Sequence, residues 1–501
     1  MNNRNQKIRR NIVLGILCQT VTILLTFLNR QVFILGLGKE YLGINALFAN
    51  IVTVLSIAEL GLTNTLLFLF YSPLLHKDYL KVNALVLFSK KIFRVIALII
   101  MLCGIGILPF LHLITDVTVP ISELYLYYIL YVLNSACSYI IVYKSLLIEA
   151  DQKNYIINII KLFATIVQNL FQIAAIVLWK NYSLYLLALI SGTLFNNVLI
   201  SLYANKYYLH IFSVNGVQID TNEKKNIFRM IKSTILYKIG VVIVNNTDNI
   251  LISILVSTVA VGMYSNYMMI VNVINTFISV GIRAITAGLG EINAANDIYY
   301  SNKVFKNMVY IFHIVAILCS LCLYWCIDDF VYLWIGQEYV LDSKAKLVIV
   351  FCFFIQHVID PVWIYRETMG LFNEIKYLML TTAVLNLVFS IGLGIWCGLS
   401  GIIFATSLAR ICTTVWYEPY LLYKKKFRKS PYEYYRMQAK LLVQSMFCIA
   451  ITFLCVSSIA TSLIGMFIKA LICGIVVISI FGIFNWRNHD FRKIFKIMKV
   501  R

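Results

Sequence analysis

Apolar runs of about 20 residues or more recur along the whole 501-residue chain, and each is long enough to cross about 30 Å of hydrocarbon as a helix. Within a bilayer every backbone N–H and C=O must pair inside the protein, so such runs fold as helices rather than open strands. The composition agrees. Hydrophobic residues make up 61% and charged residues only 13%, and the mean hydropathy of +0.83 lies outside the balance of soluble globular proteins.

The runs fall near residues 11–37, 43–70, 84–111, 121–143, 155–179, 182–203 and 234–256, then 261–287, 305–327, 345–365, 376–397, 399–422, 441–463 and 465–485. They predict an all-α polytopic membrane protein of about 14 transmembrane helices, with both termini on one side. With the N-terminus assigned to the cytoplasm, 35 of the 43 Lys and Arg lie in cytoplasmic segments or at their membrane edges. Only Lys39, Lys180, Lys344 and Lys346 lie in or beside outer loops. One missed span would reverse every later loop and erase that asymmetry. The net charge of +21 therefore reads as membrane topology, and no nucleic-acid partner is expected.

The opening MNNRNQKIRR imitates a signal peptide, but the following run is too long, so it is read as an uncleaved first helix. All 12 cysteines fall within or against spans, and no disulfide framework follows. Cys319, Cys322 and Cys326 share one helix face. One helix cannot enclose a metal, so packing is expected there and no metal site.

Two stretches reveal an internal repeat. YKSLLIEADQKNYI from Tyr143 aligns without gaps to YRETMGLFNEIKYL from Tyr365, and Gly43 of YLGINALFANI falls over Gly262 of AVGMYSNYMMI at a similar offset. Together they predict two six-helix lobes related by a parallel pseudo-repeat, plus two C-terminal helices. The expected division is an N-lobe over 1–210, a cytoplasmic connection over 211–233, a C-lobe over 234–430, and residues 431–501 for the last two spans and a basic tail. Transporters built on repeats bind their cargo at the repeat interface.

Charges inside the spans are the candidate site. Arg30, Glu59, Asp248, Arg283, Asp360 and Arg410 all lie in apolar runs, where each costs roughly 2.5–3.5 kcal/mol on insertion scales. Asp248 occupies the repeat position of Arg30, and Arg283 falls near that of Glu59, with the signs reversed. Such groups either line the path of a charged cargo or form salt bridges that fix helix register, and the spacing leaves both open. Asp360 precedes Pro361, which frees a backbone carbonyl and marks a kink or a small-ion site. His313 and His357 are weighed as proton relays against roles as hydrogen-bonded core residues.

The stretches NRQVFILGLGKEYLGINALFANIVTVLSIAELGLTNTL from Asn29, NNTDNILIS from Asn245, LWIGQEY from Leu333 and YRETMGLFNEIKY from Tyr365 carry a resemblance. The chain resembles the Wzx-type oligosaccharide flippases, within the MOP superfamily that includes MATE exporters and lipid II flippases. The resemblance implies a MATE-like fold around a central charged cavity, and no enzyme activity or cofactor. It further implies a polyprenyl-pyrophosphate-linked oligosaccharide, flipped from the cytoplasmic to the outer leaflet of a bacterial plasma (inner) membrane for cell-surface polysaccharide synthesis. Membrane lipids, a polysaccharide polymerase and glycosyltransferases are the implied partners.

On this reading Arg30, Arg283 and Arg410 in the cavity, with Arg366 near the cytoplasmic entrance, attract phosphate, which guanidinium binds bidentately. Glu59, Asp248 and Asp360 balance those cations or bind a driving H+ or Na+. Two rivals stand beside it. One is an ion-driven drug or metabolite exporter of the same fold, and the other a membrane glycosyltransferase or polymerase, for which the outer loops are too short.

Overall fold

Several helix starts are written into the sequence as capping residues. The side chains of Asp78, Asn181, Asp297 and Asp342 each accept the amide of the residue three positions on, namely Lys81, Leu184, Tyr300 and Ala345. Each satisfies one of the donors that a helix start leaves open. The computed structural model describes residues 2–59, 62–214, 219–294, 297–369 and 371–485, and no strand occurs among them.

The first principal helices are α1 (Asn2–Leu55), α2 (Leu62–Leu75), α3 (Tyr79–Ile107), α4 (Ile121–Ser138), α5 (Val142–Ala150), α6 (Asn154–Trp179), α7 (Tyr182–Tyr207) and α8 (Thr221–Leu255). They are followed by α9 (Thr258–Ala294), α10 (Ile298–Ile335), α11 (Ser343–Thr368), α12 (Phe372–Cys412), α13 (Thr414–Leu422), α14 (Tyr432–Val456) and α15 (Leu463–Asn485).

Ten of the described helical segments are long and apolar enough to cross a membrane, and the pair α4 and α5, bent by 40°, makes an eleventh. Two segments hold more than one span. Gly38 (φ 81°) breaks α1 and Gly398 (φ 58°) breaks α12, in a left-handed conformation that glycine adopts without a side-chain clash. The shorter apolar segment Ile239–Leu255 falls where the seventh expected span lies. Trp396, Leu454, Ile464 and Phe467 are all more than two-thirds exposed, as apolar side chains facing lipid should be.

By internal contacts the chain divides into Met1–Gly262 and Met263–Arg501. The core of the first unit includes Leu66, Phe70, Leu85, Phe93, Ile100 and Leu147. That of the second includes Phe305, Tyr365, Tyr423, Phe427, Leu441 and Cys473. This grouping places α8 with the first unit because it packs along α1, whereas the repeat assigns its apolar part to the second lobe.

The two glycines that the repeat aligns pack against each other. A Cβ on Gly262 would lie 2.8 Å from the Gly43 nitrogen, and one on Gly43 would lie 2.2 Å from the Thr258 carbonyl oxygen. The absence of side chains here lets the backbones approach at a distance that any other residue would obstruct.

α11 runs unbroken through Pro361. The proline has no amide to offer the carbonyl of His357, four residues earlier, and the helix continues around that missing bond.

Candidate functional site

Arg30 follows Asn29 on α1, and the pair sits in a basket of amides and tyrosines. Asn29 Nδ2 donates to Asn169 Oδ1 (2.6 Å) and Gln172 Oε1 (2.9 Å) on α6, and Tyr185 donates its hydroxyl to Asn29 Oδ1 (3.2 Å). These bonds fix the turn of α1 that carries Arg30. Tyr131, Tyr182 and Tyr185 lie within electrostatic reach of the half-buried guanidinium. Tyr182 stacks on Tyr185 at 6.0 Å and meets Tyr127 edge-on at 4.7 Å, while Phe33 meets Tyr185 edge-on at 4.9 Å. Tyr131 and Tyr182 both donate to Asn45 Oδ1.

Arg30 forms no ion pair with Glu59 or Asp248 among the described residues. Glu59 instead accepts hydroxyls from Tyr139 (2.6 Å) and Thr63 (3.1 Å). Tyr139 lies at the bend between α4 and α5, so the carboxylate ties the broken span to the end of α1. Asp248 is buried on α8.

The second unit handles its charges differently. Arg366 is 3% exposed and Glu418 2%, and Arg366 Nη1 lies 3.0 Å from both carboxylate oxygens of Glu418 on α13. The residue placed by sequence at a cytoplasmic entrance is thus held in a buried pair that joins α11 to α13. Arg366 and Arg410 both approach the Trp363 ring, at 6.0 and 5.7 Å. The side chain of Arg283 lies outside the described residues.

Asp360 has a partner that spacing alone left open. Its Oδ2 lies 2.6 Å from His357 Nδ1, and His357 Nε2 faces Asn275 Oδ1 of α9 at 2.8 Å. Both ring nitrogens meet oxygens. Arg410 acts on Asp360 electrostatically from α12. His313, by contrast, contacts Ser445 Oγ at 2.9 Å, and that hydroxyl donates to the Leu441 carbonyl. This contact joins α10 to α14.

Three features escaped sequence reasoning. The amides Asn169 and Gln172 are ordinary in composition, and only the fold brings them to Asn29, some 140 residues away. Lys469, a charge within the last apolar run, pairs with Asp329 at 2.5 Å across α15 and α10. Lys144, half of the repeat motif, proves to be 8% exposed.

No family model matches the chain, and no curated protein matches it in sequence. Solved structures do match. An inward closed conformation of the lipid II flippase MurJ aligns with a TM-score of 0.67 at 14% identity, over 95% of this chain and 99% of that one. An inward-facing multidrug resistance MATE family transporter of the MOP superfamily aligns with a TM-score of 0.63 at 14% identity, over 78% and 92%. The chain has the MATE-like fold. A MOP superfamily transporter from Pyrococcus furiosus, described as having a binding pocket of reverse polarity, also aligns, with a TM-score of 0.52 at 13% identity over 81% and 93%. At such identities the likeness is one of fold, and the chain shares it along nearly its full length.

Proposed function

We propose that this chain flips a polyprenyl-pyrophosphate-linked oligosaccharide repeat unit from the cytoplasmic to the outer leaflet of a bacterial plasma membrane, by alternating access and with both termini cytoplasmic. A pyrophosphate with several sugars cannot cross hydrocarbon unaided, whereas its polyprenyl tail is soluble there. The observation that carries the reading is Arg30: a guanidinium inside a span, on a turn of α1 held by the Asn29 amide network, flanked by tyrosines and paired with no carboxylate among the described residues. Guanidinium binds phosphate, and tyrosine faces and hydroxyls suit sugars. The resemblance of the sequence to Wzx-type flippases supplies the cargo, and the shared fold is compatible with it. A polymerase and glycosyltransferases acting on the same lipid-linked unit are the proposed partners.

Arg410 and Arg283 extend the cationic path in this reading. Arg366, tied to Glu418, fixes helices instead. Of the carboxylates named from sequence, Asp360 with His357 is the proposed site of a driving proton, while Glu59 and Asp248 remain candidates for balancing charge. His357→Gln is expected to abolish any dependence of transport on an imposed proton gradient, measured in sealed vesicles. A dependence unchanged in that variant would remove His357 from the coupling.

The decisive experiment reconstitutes the chain into vesicles with a polyprenyl-pyrophosphate oligosaccharide and measures leaflet exchange. Wild type should exchange the lipid, and Arg30→Ala should slow it by about tenfold or more. No exchange by a well-folded wild type defeats the reading. The exporter reading is favoured by Glu59, a carboxylate held among the described residues by the hydroxyls of Tyr139 and Thr63 and so able to face a cationic solute. Uptake of cationic dyes by the same vesicles, without lipid exchange, would decide for it.

A further inference from the structure

Lys144 lies on α5, just beyond the 40° bend that breaks its span. Its Nζ donates to Ser201 Oγ (2.6 Å) and Asn205 Oδ1 (2.8 Å) on α7, both neutral acceptors. The ammonium sits 5.9 Å from the centre of the Tyr143 ring and 5.7 Å from that of Phe212. Lys90 of α3 approaches the same Tyr143 ring at 5.8 Å, close enough to repel Lys144. Arg94, one turn further along α3, is exposed and acts electrostatically on Tyr143 as well. None of the three cations has a carboxylate partner among the described residues.

Burying an ammonium beside a second one, with only neutral acceptors, is unfavourable unless an anion completes the arrangement. The second unit shows what completion looks like. Arg366 is the repeat counterpart of Lys144, and its Nη1 lies 3.0 Å from the Glu418 carboxylate. The buried cation meets a carboxylate in one repeat and a hydroxyl and an amide oxygen in the other. An ammonium has three donors, of which Ser201 and Asn205 take two.

We propose that Lys144, Lys90 and Arg94 form a binding site for the phosphate of a membrane lipid, which takes the place that Glu418 fills in the second repeat. Leu87, Val95 and Leu98 of α3 are each at least half exposed, so an apolar face for acyl or prenyl chains adjoins the cations. The phosphate belongs either to the polyprenyl-pyrophosphate cargo at an early stage of loading or to an anionic phospholipid. The first identity rests on the flippase reading above, and the second does not.

The test uses the full chain in detergent micelles and measures binding of undecaprenyl pyrophosphate, phosphatidylglycerol and phosphatidylcholine by native mass spectrometry. Lys144→Gln and Ser201→Glu should each weaken a phosphate lipid by about tenfold, with phosphatidylcholine the weakest ligand throughout. Loss confined to undecaprenyl pyrophosphate assigns the site to cargo, and loss of phosphatidylglycerol as well assigns it to lipid phosphate generally. Ser201→Glu rebuilds the pair of the second repeat inside the first, so its melting temperature should rise while binding falls, which separates site loss from misfolding. Unchanged affinity for both phosphate lipids in a folded Ser201→Glu protein overturns the proposal. Binding is read without transport, so a wild type that binds but does not flip would defeat the flippase reading and leave this site standing.

Discussion

In the second unit Arg366 meets Glu418, Lys469 meets Asp329 and His357 meets Asp360. In the first, Arg30 lies among tyrosines and amides, and Lys144 is held by a serine and an asparagine. Lys144 and the paired cations of the second unit all find hydrogen-bond acceptors, but only the acceptors of the second unit cancel charge. A buried pair completed within the chain fixes helices, and removing one member leaves the other stranded. A cation completed only by polar neighbours keeps its attraction for an anion from outside. On this contrast Arg366 and Lys469 fix helices, whereas Arg30 and Lys144 are the cations proposed to bind.

Four substitutions break or sharpen that contrast. Glu418→Gln takes the buried carboxylate from Arg366, leaving it the exposed Glu367 at 3.4 Å, and should cost about 3–5 kcal/mol of stability, read as a large fall in melting temperature in detergent. A melting temperature equal to wild type would deny the pair its structural role. Gly43→Val drives a side chain into the Thr258 carbonyl at the glycine contact and should cost about 1–3 kcal/mol. Disulfide formation between Leu42→Cys and Val261→Cys, tried with and without the valine, would report the separation directly. Arg30→Ala should leave stability within about 1 kcal/mol of wild type while slowing lipid exchange, the reverse of Glu418→Gln. If both variants instead lose stability alike, the two units do not differ as argued. Lys144→Met should have the smallest effect on stability, below about 1 kcal/mol and of stabilising sign, because it removes an uncompensated charge and fills its place with apolar atoms.

Much of the fold was legible because hydrophobic runs are local. Each span announces itself by length, and Asp78, Asn181, Asp297 and Asp342 mark helix starts through bonds to residues three positions away. The repeat was legible in Gly43 with Gly262 and in Tyr143 with Tyr365, since duplication preserves order. Which charges are compensated was not. Lys144 and Arg366 align as equal cations, yet their partners lie 57 and 52 residues downstream on other helices. The reversed signs of Arg30 and Asp248 pointed to a pairing that the described contacts do not form.

The sequence by itself therefore determined that the chain spans a membrane as helices, how many times, and that its two halves share a plan. Those properties follow from hydrophobic length and from charge along the chain, which need no knowledge of neighbours. Only the tertiary structure decided which buried cations meet carboxylates and which meet hydroxyls and amides. That depends on helix rotation and contact across distant segments, where moving a side chain by one helical turn exchanges an ion pair for an open site.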